Sequence, residues 1–294
     1  MQTLADFLFW AEASFSTNSL TFGHGTDNAW DDAVAIALHV LNLSPTVGKE
    51  ILSRKLLKNE ALTMIKLAER RVTERIPVPY LTHEAWFGGE RYYVDERVII
   101  PRSPFAELIS NNFQPWLKNK EIKNVLDLCT GSACIAITCA KRYPELRVDA
   151  VDLSDDALAV AEQNIKQHNL VNRVSTIQSD LFQAISGRRY DIILSNPPYV
   201  SEKEHYCLPE EYKHEPKLAF ISGADGFDCV RQILNSAADF LTDEGLLFVE
   251  VGCNWQALDK KYENISFTWL DFEHGGEGVF LLTKEQLAEI KMEF

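Results

Sequence analysis

A chain of 294 residues that is 46% hydrophobic has ample material for a large core, and a formal net charge of −14 excludes the basic surface that binding to phosphate backbones requires. Such acidity attracts cationic partners, a basic protein among them, although it also serves plain solubility. No run approaches the roughly 18 apolar residues of a membrane span, and Asp6 and Glu12 stand where a leader would carry basic residues, so no membrane association and a cytoplasmic location are expected.

The first eighty residues read as helices. Leu4, Phe7, Leu8 and Ala11 recur at helical spacing, as do Trp30, Ala33, Val34, Ala37, Leu38 and Leu41 after a Gly23-His24-Gly25 loop, with Asp27 or Asn28 as cap. Leu62, Ile65, Ala68 and Val72 continue the pattern, and such stripes ordinarily face a core. His24 has no neighbours at metal-ligand spacing and reads as structural or substrate-contacting. Pro77 and Pro79 end this bundle. Trp86-Phe87 and Arg91 to Val94 around Gly88-Gly89 predict a β-hairpin, which leads through Val98-Ile99-Ile100 into Pro101-Arg102-Ser103-Pro104. On its own Arg102 reads equally well as a surface cation at a helix start.

From Glu121 strands and helices alternate, which predicts a parallel sheet covered on both faces. Strands are expected at Val125 to Leu128, Val148 to Val151, Val174 to Ile177, Ile192 to Leu194 and Leu246 to Val251, with Ile265 to Leu270 and Gly278 to Thr283 as an antiparallel pair closing the sheet. The first strand runs into Cys129-Thr130-Gly131-Ser132-Ala133-Cys134, a turn of small residues that lets a ligand approach the backbone. The second ends in Asp152, placed to accept hydrogen bonds from ribose hydroxyls. Asp180 follows the third strand and reads by itself as a helix cap. The fourth stops at Ser195-Asn196-Pro197-Pro198-Tyr199, where two prolines forbid continuation and leave carbonyls facing outward. Asn196 adds an acceptor and Tyr199 a flat face, a combination suited to a planar group with two N–H hydrogens; as an isolated motif it is also what a rigid turn looks like. In open sheets ligands sit beyond the carboxyl ends of the strands, so Asp127, Gly131, Asp152, Asp180 and Asn196 are expected in one cleft. The six cysteines, at 129, 134, 139, 207, 229 and 253, contain no Cys-x-x-Cys pair and are expected to be reduced and buried rather than part of a disulfide or metal framework.

Asp127-Leu-Cys-Thr-Gly-Ser132, Asp152 and Asn196-Pro-Pro-Tyr199 resemble the S-adenosylmethionine-dependent methyltransferases of planar amino groups, and among them the protein-glutamine methyltransferases. The resemblance continues through Phe87-Gly-Gly, Ile100-Pro-Arg-Ser, Glu215-Pro and Gly275-Gly-Glu-Gly-Val-Phe-Leu-Leu-Thr, so it covers nearly the whole chain. Phe22-Gly-His-Gly-Thr-Asp-Asn-Ala-Trp30 is similar to the branch that modifies a glutamine of a large-subunit ribosomal protein, the third of that subunit. The resemblance implies an α/β, class I (Rossmann-like) fold with a seven-stranded, mostly parallel sheet over residues 104–294, a helical substrate-recognition domain over 1–80 and a β-hairpin connector over 81–103.

It further implies S-adenosyl-L-methionine as cofactor, bound by Asp127, Cys129, Thr130, Gly131, Ser132, Asp152, Asp180, Leu181 and Asn196. Asn196, Pro197 and Tyr199 are implied as the catalytic group, with Pro198 and Arg102 also meeting the substrate, and Glu107 falls where the family carries an acid. Alignment of nitrogen, methyl and sulfur is the chemistry required, which needs neither metal nor covalent nucleophile. A release-factor glutamine or the amino group of adenine are the alternative acceptors, the latter calling for basic grooves that this acidic chain lacks. Glycine at 129 and 133 would be the glycine-rich version of the first loop; this chain has Cys129 and Ala133, and the Ala133 methyl is expected to narrow the approach to the methionine moiety.

Overall fold

The computed structural model describes residues 2–117 and 121–290, so the outer bounds 1 and 294 lie outside the described residues. α1 (Leu4–Thr17) starts at Thr3, whose hydroxyl accepts the Asp6 N–H at 3.2 Å while the Asp6 carboxylate accepts the Thr3 N–H at 3.0 Å. α2 (Ala29–Leu41) is capped by Asn28 and ends on left-handed Asn42. With α3 (Lys58–Thr73) they enclose Phe7, Leu8, Ala11, Phe15, Ile36, Met64 and Ala68. Leu62 departs from the expected stripe and is exposed: the inward face of α3 runs through Met64, Ala68 and Arg71, because the buried Arg71 guanidinium must reach the buried Asp32 carboxylate, 2.8 Å away. Pro77 and Pro79 do not end the helices. They open α4 (Val78–Thr82), where a proline in the first turn sacrifices no intrahelical bond.

β1 (Ala85–Phe87) and β2 (Glu90–Tyr92) form the expected hairpin, turning at left-handed Gly88 and Gly89. α5 (Phe105–Ser110) precedes the main sheet, whose members along the chain are β3 (Asn124–Leu128), α6 (Cys134–Arg142), β4 (Arg147–Asp152), α7 (Asp155–Gln167), β5 (Val174–Gln178), β6 (Tyr190–Ser195), α8 (Glu202–Tyr206), α9 (Asp228–Ser236), β7 (Leu241–Glu250), α10 (Trp255–Lys261), β8 (Thr268–Trp269), β9 (Val279–Thr283) and α11 (Lys284–Glu289). The seven-stranded order is β5-β4-β3-β6-β7-β9-β8, parallel up to β7, with β9 and β8 antiparallel. β8 is far shorter than Ile265 to Leu270. Thr268 and Trp269 pair with β9 in register, the Leu270 N–H adds one bond to the Val279 carbonyl at 2.9 Å, and the chain before them is still closing the turn from α10.

Central strands bury both faces. In β6, Ile192 and Leu194 face α5 and α6, whereas Ile193 faces α9. Strand order reverses between the parallel neighbours β3 and β6, so the connections leaving their carboxyl ends turn to opposite sides and leave a crevice between them. All cysteines are free, but Cys207 and Cys253 are exposed rather than buried, since they lie in the segments after α8 and after β7 instead of in the sheet. Among the described residues no helix is long and apolar enough to cross a membrane.

Candidate active site

The loop between β3 and α6 takes left-handed backbone at Cys129, Gly131 and Ala133, with φ of 60°, 54° and 61°. Those are the positions where glycine would be free of strain, and two of them carry side chains. The turn is held from several sides. Thr130 N–H donates to the Val151 carbonyl at 2.9 Å, and Gly131 N–H to Asp152 Oδ2 at 2.9 Å. Asp127 Oδ2 accepts the Thr130 hydroxyl at 2.6 Å and the Ala136 N–H at 3.1 Å. Fully buried, this carboxyl is pushed up to about 7 by desolvation against those two donors. Asn164 of α7 then donates to the Ser132 and Tyr93 carbonyls and accepts the Tyr93 N–H, which pins the hairpin segment against the loop. The Ala133 methyl lies in the core and does not face the crevice, so the expected narrowing does not arise; its cost is backbone conformation.

A cavity of about 270 Å³ opens beyond β3, β4 and β6. Gly131, Asp152, Asp180 and Asn196 line it, as expected from the strand ends, with Cys129, Leu181 and Pro198 beside them. Asp127, expected in the same cleft, does not line it because its carboxylate is turned inward onto Thr130 and Ala136, and Thr130, Ser132, Pro197, Tyr199 and Arg102 also lie outside the lining. Sequence reasoning missed Ile99, Ser179, Leu218 and Cys229, which carry no motif and arrive from four separate segments, and it gave Pro216, part of the Glu215-Pro match, no place in the cleft. Asp152 Oδ1 accepts the Ser154 N–H at 2.9 Å and Oδ2 the Gly131 N–H, and a carboxylate with about four acceptor positions keeps capacity for a ligand hydroxyl. Burial raises this carboxyl above its ordinary range. The wall is otherwise acidic: Glu96, Asp156 and Asp180 face the space, and the one arginine there, Arg97, is clamped on Asp95 at 2.6 Å. A nucleoside joined to a cationic sulfonium and an ammonium group fits such a lining, with apolar Leu181, Val98 and Pro198 for its flat part.

At the end of β6 the Ser195 hydroxyl donates to the Leu128 carbonyl at 3.0 Å, tying the two strand ends together. Tyr199 packs on Gly252, where a Cβ would come within 2.9 Å of the phenol oxygen, and its carbonyl accepts from Asn254 Nδ2 at 2.6 Å. Burial pushes that phenol well above its ordinary range. Arg102 is no surface cation: it grips Glu215 with two bonds of 2.7 and 2.8 Å and lies over the Tyr212 and Phe220 rings. Glu215 also accepts the Ile100 N–H at 2.9 Å. The His24 ring packs tilted against Tyr212, with centroids 4.4 Å apart, and faces Glu215 at 3.7 Å, yet burial lowers its pKa to about 4, which makes it a neutral packing residue at pH 7. Glu107 instead accepts the Glu273 and His274 N–H groups, bracing the glycine loop before β9.

Residues 108–211 match the family model described as the methyltransferase small domain. Across the full chain, a ribosomal protein uL3 glutamine methyltransferase of Neisseria gonorrhoeae is 49% identical, covering 98% of this chain and 96% of its own length. This chain belongs to the ribosomal protein uL3 glutamine methyltransferase family. A second family member, from Francisella tularensis, is 43% identical over 100% of this chain and 94% of its own length. Among solved structures, the hMettl16 catalytic domain in complex with MAT2A 3′UTR hairpin 1 superposes with a TM-score of 0.50 at 17% identity, over 85% of this chain and 89% of that one, a likeness of fold alone. As a methyltransferase of this family the chain uses S-adenosyl-L-methionine.

Proposed function

We propose that this protein transfers a methyl group from S-adenosyl-L-methionine to the side-chain amide nitrogen of a glutamine in large-subunit ribosomal protein uL3. The observation that carries the reading is the meeting of Asn196 with Asp152 in one cavity, in a chain related end to end to enzymes of that name. Bound there, the cofactor supplies an already activated sulfonium methyl. An amide nitrogen is a poor nucleophile, so the protein's part is alignment and charge stabilisation. Asn196 Oδ1 accepts one N–H of the acceptor amide and the Pro197 carbonyl the other. Together they turn the nitrogen lone pair toward the methyl and stabilise positive charge as it develops. Pro198 keeps the carbonyls rigid, and Tyr199 packs the amide plane. Asp152 holds the ribose, with Gly131, Leu181 and Asp180 around the rest of the nucleoside.

The helices of residues 1–80 serve as the recognition domain for uL3, joined by the hairpin of 81–103 to the methyltransferase domain of 104–294. Residues 1–80 carry nine carboxylates against eight lysines and arginines, so the acidity that favours a basic protein over nucleic acid lies almost wholly on residues 81–294. The enzyme works in the cytoplasm, where uL3 is made. Intact-mass analysis of uL3 incubated with protein and cofactor tests the reading: one methyl group is gained, and a peptide map places it on a glutamine. Transfer to naked DNA at a comparable rate, or none to any protein, refutes it; transfer to a release factor alone refutes the choice of uL3.

A further inference from the structure

Glu250 ends β7 as an acid in an otherwise apolar run, Leu246-Leu-Phe-Val-Glu-Val, and is 6% exposed. Its partner across the sheet is Val279, which offers it nothing polar. Ser103 Oγ accepts the Phe105 N–H at 3.1 Å, which commits its hydroxyl hydrogen to Glu250 Oε2, 2.5 Å away. Ser195 of β6 pairs in parallel with Val249 of β7, so Asn196 and Glu250, the next residue of each chain, stand side by side on one face of the sheet. The Asn196 side chain is thus the other donor facing Glu250, and an amide can donate only through its N–H₂. Arg102 from the connector and Tyr199 from the end of β6 are the remaining ionisable groups turned toward this carboxylate.

An amide side chain has two nearly isosteric orientations, and only one presents oxygen to an incoming N–H₂ group. The other sets donor against donor. From this arrangement we infer that Glu250 is the positioning residue for Asn196: its ionised carboxylate holds the Asn196 N–H₂ and so aims Oδ1 at the acceptor amide. This rests on the proposed methyl transfer for its consequence in rate, but the orientation itself belongs to the protein alone. Ionised, Glu250 is acceptor-only and enforces one orientation. Protonated, it can donate to Asn196 Oδ1 and release the amide to turn over. Burial pushes this carboxyl up to about 7 against Ser103, Arg102 and Asn196, so the change falls in the working range. Gln at the same position offers both an acceptor and a competing N–H₂, of which Ser103 claims the acceptor.

The test has two readouts. In a wild-type sample loaded with S-adenosylmethionine, the Asn196 side-chain amide resonance, assigned by its disappearance in Asn196→Asp, shifts with pH about a midpoint near 7 and is pH-independent in Glu250→Gln. Turnover on uL3 falls about tenfold per pH unit below that midpoint. Glu250→Gln lowers kcat by roughly tenfold to a hundredfold at pH 8, with cofactor affinity unchanged and a flat profile. Ser103→Ala, which keeps the carboxylate and removes its donor, moves the midpoint upward in both readouts, and it decides the matter if Glu250→Gln does not fold. An Asn196 resonance indifferent to pH, or an acid limb that neither variant moves, overturns the assignment. Absence of methyl transfer by the wild-type protein would reject the proposed activity while the resonance still decides the role of Glu250.

Discussion

At the scale of single residues, the carboxylates and amides around the crevice make distinct predictions. Asn196→Ala should fold, bind cofactor in calorimetry with affinity close to wild type, and turn over on the order of a hundred- to a thousandfold more slowly, as loss of one preorganised acceptor ordinarily does. Retention of more than half the wild-type rate would make Asn196 a turn residue. Asp152→Ala should weaken cofactor binding by about 1.5–3 kcal/mol. Because Asp152 also holds the Gly131 and Ser154 N–H groups, Asp152→Asn should recover part of that loss, and equal affinities for all three proteins would remove Asp152 from the ribose. Glu250 makes a stability prediction as well. Its folded carboxyl titrates at about 7 against an ordinary 4.5, so the folded state binds the proton more tightly and stability is lost as pH rises through that window. Glu250→Gln mimics the protonated form. Its melting temperature relative to wild type should therefore climb between pH 4.5 and pH 7 and level off above, and a constant difference would contradict the raised pKa.

The elements show which parts of this arrangement a sequence can disclose. Central parallel strands are buried on both faces and announce themselves as apolar runs, so β3, β4, β6 and β7 were legible, as was the meeting of Asp152 and Asn196 beyond their ends. β8 pairs through two residues and its pattern carries little register information. α4 was hidden by prolines that usually mark a stop, and Glu250 by its place inside a strand, although an acid in an apolar run is itself a signal that a donor waits across the fold. The Arg71, Asp32 and Glu211 cluster had no signal at all, since Glu211 lies 140 positions from Arg71. All three are buried, with Arg71 reaching Asp32 at 2.8 Å, Glu211 at 3.4 Å and the Thr21 carbonyl at 2.7 Å. Arg71→Met removes the charge and most of the pairing but keeps the bulk, leaving two buried acids undercompensated. It should cost about 3–5 kcal/mol in denaturant unfolding. A cost below 1 kcal/mol would mean that Arg75, 2.9 Å from Glu211, suffices alone.

Over the whole molecule, charge and connectivity are divided unevenly. With the carboxylate excess on residues 81–294, attraction of a basic substrate should reach the crevice side most strongly and fade with ionic strength. Raising salt should therefore raise KM for uL3 more than it lowers kcat, whereas a salt-independent KM would point to recognition through apolar contact. The segment between α8 and α9 belongs physically to both halves. Glu211 accepts the Thr21 N–H at 2.9 Å and His214 meets the Glu74 carbonyl at 3.0 Å, while Pro216 and Leu218 of the same stretch line the cavity beyond β3, β4 and β6. Anyone wishing to exchange acceptor preference between members of this family by recombination would naturally cut near residue 80. That cut would strand Glu211 and Glu215 opposite a foreign bundle, so the transplant has two non-contiguous pieces, the helices and the stretch from 201 to 222, and only a double crossover that moves both should yield a soluble hybrid with the donor's choice of protein.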